Sequence, residues 1–142
     1  MIVVDVNLLL YAVVTGFPHH ERARAWWEAE LNGNREIGLC NPSIFGFLRA
    51  ATNPRVLERA LHINAALTLV QEWLKRPNAV YVTPGPRHLA LAFELLEELG
   101  TGGYLTTDVQ LAALAIENDG EVHSTDADFG RLPGVRWVNP LQ

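Results

Sequence analysis

Apolar residues fall along this chain in two alternating rhythms. Short runs dominated by apolar residues, "IVVD" at 2–5, "EIGLC" at 36–40, "AVYVT" at 79–83, "EVHS" at 121–124 and "VRWVN" at 135–139, predict strands. Longer stretches between them carry the 3.6-residue period of helices. A brief helix is expected from about Leu8. In "HHERARAWWEAELNGN" the residues Ala23, Trp26, Trp27 and Leu31 share helical spacing, with Gly33 as a stop. "PSIFGFLRAAT" reads as a helix closed by "TNP", because the residue before a proline avoids helical geometry. Further helices are expected over residues 64–74, over "RHLALAFELLEELG" and over "DVQLAALAIENDG". Strands alternating with helices predict an α/β fold, a mostly parallel central sheet flanked by helices on both faces. With no repeat and no linker-like stretch, residues 1–142 form a single domain.

Such sheets place their ligands beyond the carboxyl ends of the strands, where the strand order switches direction. Asp5 directly follows the first strand and Asp126 follows "EVHS", so parallel neighbours would bring both to one edge. Asp108 opens the helix before "EVHS" and faces the same end, with Asp128 a fourth candidate. Taken singly, each acid has a structural reading. Asp5 can start a helix, Asp108 can sit at a helix's positive end, and Asp126 and Asp128 can stabilise turns. Capping, however, does not require that they share an edge. Two carboxylates about 4 Å apart repel by roughly 4 kcal/mol at an effective dielectric near 20. A divalent cation relieves this directly, and ligands that are all oxygen favour Mg²⁺ or Mn²⁺ over zinc. Such a site acts on phosphates, which points to phosphodiester hydrolysis.

Composition narrows the classes. Hydrophobic residues make up 49% of the chain and charged ones 19%, which suits a packed domain rather than a disordered one. One cysteine, Cys40, excludes an internal disulfide and fits a reducing, cytoplasmic setting. Asp5 and Asn7 interrupt the apolar opening, so neither a signal peptide nor a membrane span is expected. The net charge of -5 argues against a nucleic-acid binder that works by positive charge alone. Two bound divalent ions would bring that -5 to about -1, which softens the conflict. Arg49 and Arg55, flanking "AATNP", are candidate phosphate contacts, with solvent exposure or an ion pair as the plain reading. The five histidines show no metal-ligand spacing, and His123 reads as a core or rim residue. Of Trp26 and Trp27, adjacent on a helix, one is expected to be buried and the other to lie at an interface. No phosphate loop, dinucleotide fingerprint or nucleophile elbow occurs.

The stretches "VVDVNLLLYA", "FLRAATNPRV" and "GGYLTTDVQLAALAIENDGEVHSTDADFGRLPGVRWVNPL" resemble PIN-domain ribonucleases, in particular VapC-type toxins of toxin–antitoxin pairs. The likeness spans nearly the whole chain. It implies a PIN-like domain in which Asp5, Asp108 and Asp126 match the family's acids, bind metal and carry catalysis with Asp128. Ser124 matches a supporting hydroxyl and Asn7 a polar residue after the first acid. The implied activity is Mg²⁺- or Mn²⁺-dependent endoribonuclease cleavage, with a VapB-like antitoxin as inhibitor and a homodimer as the unit. One departure is Gly46, which stands where many PIN domains carry a glutamate. It leaves open a single metal, or a second one held mainly by substrate and water. Two other readings stay on the table, an RNA-binding module with weakened cleavage and a haloacid-dehalogenase-like phosphatase that attacks through Asp5.

Overall fold

Ile2, Val3 and Val4 have no exposed surface at all, and a strand on either side satisfies their backbones. The computed structural model, which describes residues 1–142, places them as strand β1 (Ile2–Val4) at the centre of a five-stranded sheet. The chain continues through α1 (Val6–Val13), α2 (His20–Leu31), β2 (Ile37–Cys40), α3 (Asn41–Ala51), α4 (Ile63–Leu74) and β3 (Ala79–Val82). It then forms α5 (His88–Leu99), α6 (Leu105–Glu117), β4 (Glu121–His123), a 3-10 turn over Ala127–Arg131, and β5 (Trp137–Val138). The strand order is β3-β2-β1-β4-β5, with every pair parallel. The order reverses beside β1, so the crevice between the ends of β1 and β4 is the switch point at which such sheets bind ligands.

Alternation along each strand divides the core in two. Ile2, Val4, Ile37 and Leu39 point to one face, where Leu8, Leu9, Trp27, Phe47 and Trp73 of α1 to α4 cover them. Val3, Cys40, Val82 and Val122 point to the other, under Ala92 and Leu95 of α5, the apolar run of α6, and Phe129. No helix is long and apolar enough to cross a membrane.

The expected elements are all present, with shifted starts. Helix α1 begins at Val6, two residues before Leu8, because Asp5 caps it: its side chain accepts a hydrogen bond from the Val6 N–H. Helix α6 begins at Leu105, which places Asp108 within its first turn rather than at its start. Trp27 is buried while Trp26 is partly covered and stacks on His123. At the end of α5, Gly100 takes a left-handed conformation with φ of 68°, which residues with a side chain rarely adopt.

Gly46 has a packing cause. It lies in α3 where that helix crosses α1, and a Cβ there would stand 2.5 Å from Cγ2 of Val6. Valine is stiff at χ1 and cannot swing away freely. Alanine would gain about 1 kcal/mol of helix propensity, whereas overpacking costs about 1–3 kcal/mol. We therefore expect Gly46→Ala to lower stability by about 1 kcal/mol in urea unfolding, and the added substitution Val6→Ala to cancel much of that interaction in a double-mutant cycle. Additive losses would show that the crossing does not set this residue.

Candidate active site

The end of β1 is tied to β4 before any side chain acts, since the Asp5 N–H donates to the His123 carbonyl at 3.0 Å. Asp5 is buried, and each of its carboxylate oxygens has a donor. Oδ1 accepts from the Val6 N–H at 2.7 Å, and Oδ2 accepts from the Ser124 hydroxyl at 2.6 Å. Burial pushes the Asp5 carboxyl above its ordinary range, opposed by the Ser124 and Val6 hydrogen bonds and reinforced by the charge of Asp126.

Ser124 organises the site. It has no exposed surface. Besides donating to Asp5, its Oγ accepts from Asn7 Nδ2 at 3.2 Å and from the Asp126 N–H at 2.9 Å, which fills the capacity of a hydroxyl. Its own backbone is fixed by β5: the Ser124 N–H donates to the Val138 carbonyl, and the Ser124 carbonyl accepts from the Trp137 indole at 2.9 Å. One residue thus orients Asp5, Asn7 and the start of the Asp126 turn.

Asp126 caps the 3-10 turn, its Oδ1 accepting from the Asp128 N–H at 2.9 Å. Carboxylate oxygens of Asp108, Asp126 and Asp128 all lie within 4.8 Å of one another. At that spacing each charged pair repels by on the order of 3 kcal/mol at an effective dielectric near 20, before solvent screening. The consequence is visible at Asp108, whose pKa is pushed up to about 7 by burial first and then by Asp5, Asp126 and Asp128. Asp5 joins this group through Ser124 and through its charge rather than as a fourth oxygen within the same 4.8 Å. Asn7 Oδ1 is buried here without a hydrogen-bond partner. The ligand set is therefore all oxygen, strongly anionic, and has one buried acceptor without a donor, which fits a hard divalent cation.

The four aspartates and the two supporting residues, Asn7 and Ser124, are brought together at the carboxyl edge of β1 and β4. The two arginines are not. Arg49 lines a groove with Pro42, Phe45, Gly46, Thr107 and Gln110, between α3 and the first turns of α6. Arg55 is exposed in the loop after α3, its backbone N–H held by Asn53 Oδ1. Neither forms an ion pair. Of the two expected placements for His123, core or rim, the structure gives the core: it is 3% exposed, with Nδ1 buried without a hydrogen-bond partner. It bonds Glu121 through Nε2 at 2.8 Å, and burial holds its pKa below the ordinary histidine value despite that partner. Sequence reasoning passed over Arg131, whose Nη1 lies 3.5 Å from Asp128 Oδ1. The acid-to-arginine spacing of three within "DFGR" was the available signal.

The chain matches the PIN domain family over residues 2–135. It is 55% identical over 142 residues to ribonuclease VapC33 of Mycobacterium tuberculosis, covering 100% of this chain and 99% of that protein. Against ribonuclease VapC37 of the same species it is 41% identical over 140 residues, or 99% and 97% of the two chains. Among solved structures, Rickettsia felis VapBC2 bound to a DNA fragment from its promoter aligns with a TM-score of 0.70 at 17% identity, covering 97% of this chain and 98% of that one. Mycobacterium tuberculosis VapC20, described as a sarcin–ricin loop cleaving toxin, aligns at 0.67 with 19% identity over 96% and 99%. A parallel sheet whose switch point gathers four aspartates, together with full-length identity to these ribonucleases, makes this chain a member of the PIN-domain family, within its VapC branch.

Proposed function

We propose that this chain is an endoribonuclease that works with Mg²⁺ or Mn²⁺, and that it is the toxin of a toxin–antitoxin pair acting in the cytoplasm. The observation that carries this reading is the meeting of Asp5, Asp108, Asp126 and Asp128, from three separate parts of the sequence, in one crevice. The relatives named as VapC ribonucleases support the substrate class. Asp5, Asp108 and Asp126 would hold the cation. When bound, it supplies neutralisation of the cluster, acidification of water, and stabilisation of charge on the leaving oxygen.

The chain's own residues do the rest. Ser124 and the Val6 N–H keep Asp5 in one orientation, so the carboxylate need not reorganise when substrate arrives. The Asp128 N–H fixes Asp126, and Asp128 is steadied in turn by Arg131. Arg49, free of an acidic partner and facing the groove, is placed to hold a phosphate of the strand. Arg55 lies outside that groove and is assigned a peripheral contact at most. A phosphatase route through Asp5 fits less well, because Asn7 stands where that family carries its second aspartate.

Partner binding has its own surface. Val13–Phe17 and Val56–Leu61 line a cavity of about 640 Å³. Val13 and Thr15 also belong to a second cleft, of about 390 Å³, lined by Trp27, Trp73, Arg24 and Glu28. An amphipathic antitoxin segment suits this apolar, charge-rimmed channel, and an arginine beyond it could replace the cation's charge among the acids. Exposed Phe45, Tyr81, Leu89 and Phe93 supply apolar area for the homodimer. Sedimentation should give twice the chain mass, and the cognate antitoxin should stop cleavage; a monomer, or undiminished cleavage, counts against the respective assignment.

Asp5→Asn and Asp126→Asn should each reduce Mg²⁺-dependent cleavage of RNA at least a hundredfold with little loss of fold. Cutting at the original rate under matched metal would end the proposal. Chelation should abolish activity, and Mg²⁺ or Mn²⁺ should restore it.

The pH response follows from Asp108. Its carboxyl titrates near 7 in the folded protein and near 3.8 in the unfolded chain, so between those values the folded state holds a proton that the unfolded state has released. Stability of the metal-free protein must then fall as pH rises from about 4 to 7. Asp108→Asn should flatten that slope and raise Tm at pH 8 by about 3 °C, while removing activity. Mg²⁺ should flatten it as well, and activity should rise with pH through about 7. A melting temperature for metal-free protein that is constant across this range would refute the assignment.

A further inference from the structure

Beside the groove lined by Arg49, a small cavity of about 130 Å³ opens between the sheet and helices α5 and α6. The two spaces share Pro42 and Gln110, and the groove reaches Thr107, the neighbour of Asp108. The cavity's size matters. It holds about four waters' worth of liquid volume, too little for a large cofactor and enough for one flat heterocycle. Val82, Pro84 and Leu114 give it apolar walls, and Asn41, His88 and Gln110 place polar groups on its lining.

Those polar groups are not fully engaged. His88 is 6% exposed, and its Nδ1 is buried without a hydrogen-bond partner. Nδ1 faces Glu117 Oε1 at 3.6 Å, an ion-pair contact longer than a hydrogen bond. That carboxylate also accepts from the Gly85 N–H at 3.0 Å and the Arg87 N–H at 3.3 Å, so it holds the loop before α5 as well as the imidazole. Gln110 uses Nε2 on the Thr106 carbonyl, and Asn41 uses Oδ1 on the Tyr81 hydroxyl, which leaves the other end of each amide available. Metal is a poor occupant. Burial raises the pKa of the Cys40 thiol on the cavity wall, which keeps it protonated, and the cavity lining holds no carboxylate.

We infer that this cavity, between Asn41, His88 and Gln110, receives one unpaired nucleobase of the RNA and sets which nucleotide lies next to the cut. Apolar walls with a few aimed amide and imidazole groups are what recognition of a splayed base requires, since its faces need contact and its edge needs donors and acceptors. Arg49 stands in the adjoining groove, which shares Pro42 and Gln110 with the cavity, where a backbone phosphate would lie. The assignment rests on the ribonuclease reading for its context, but the cavity can be tested without cleavage.

Two measurements separate the possibilities. In the first, the histidine ring resonances of the intact protein are followed by NMR while each of the four common ribonucleosides is added at millimolar concentration. At least one should shift the His88 signals, and Gln110→Trp, an exposed position at the cavity mouth, should remove that shift. Silence from all four nucleosides overturns the cavity, whether or not the protein cuts RNA. In the second, a pool of unstructured RNAs randomised around the cut is digested with Mg²⁺ and the products are sequenced. Wild type should prefer one base at one position, and Gln110→Ala and His88→Gln should each flatten that preference by about tenfold. Equal loss on every sequence, or an unchanged preference in both variants, overturns the proposal. Nucleoside binding without any RNA cleavage would instead sink the ribonuclease reading and leave the cavity standing.

Discussion

Carboxylates crowded at the carboxyl edge of a parallel sheet repel one another, and much of the surrounding structure serves to keep them there. Asp108, Asp126 and Asp128 have oxygens within 4.8 Å of each other, and Asp5 is drawn toward them by Ser124. The restraint comes from short local bonds: the Val6 N–H on Asp5, the Asp128 N–H on Asp126, and a serine whose hydroxyl is saturated three ways. None of these removes charge. They hold a strained anionic pocket in shape, so that a proton or a cation settles it without rearrangement.

Gly46 shows how packing can decide chemistry. An acid at that position would need room that Val6 occupies, because α1 and α3 cross too closely for even a Cβ. The chain has therefore closed that side of the crevice to a further carboxylate. In exchange Gly46 opens onto a groove between Arg49 of α3 and Thr107 and Gln110 of α6.

How far the sequence announced this depends on the range of each interaction. Strand and helix alternation was plain because Ile2–Val4 and Ile37–Cys40 are buried on both faces, so their apolar runs are unbroken. Asp5 and Asp126 were legible because each directly follows or lies close behind a short strand of a parallel sheet. The start of α6 was misplaced by three residues, since Leu105 is buried while Thr106 and Thr107 resemble a cap. Glu117 gave no signal at all: its work is to hold the backbone at Gly85 and Arg87, some thirty residues away. The same applies to the cavity beside α6, whose lining comes from β2, α3, β3, α5 and α6 and has no local motif.

The Trp137 indole reaches the Ser124 carbonyl from a strand only two residues long at the sheet's margin. Ser124 in turn fixes the first aspartate of the chain. The orientation of the fifth residue therefore depends in part on the one hundred and thirty-seventh. A product cut short ahead of Trp137 would carry every acid yet lack one of the clasps on the serine that aligns them.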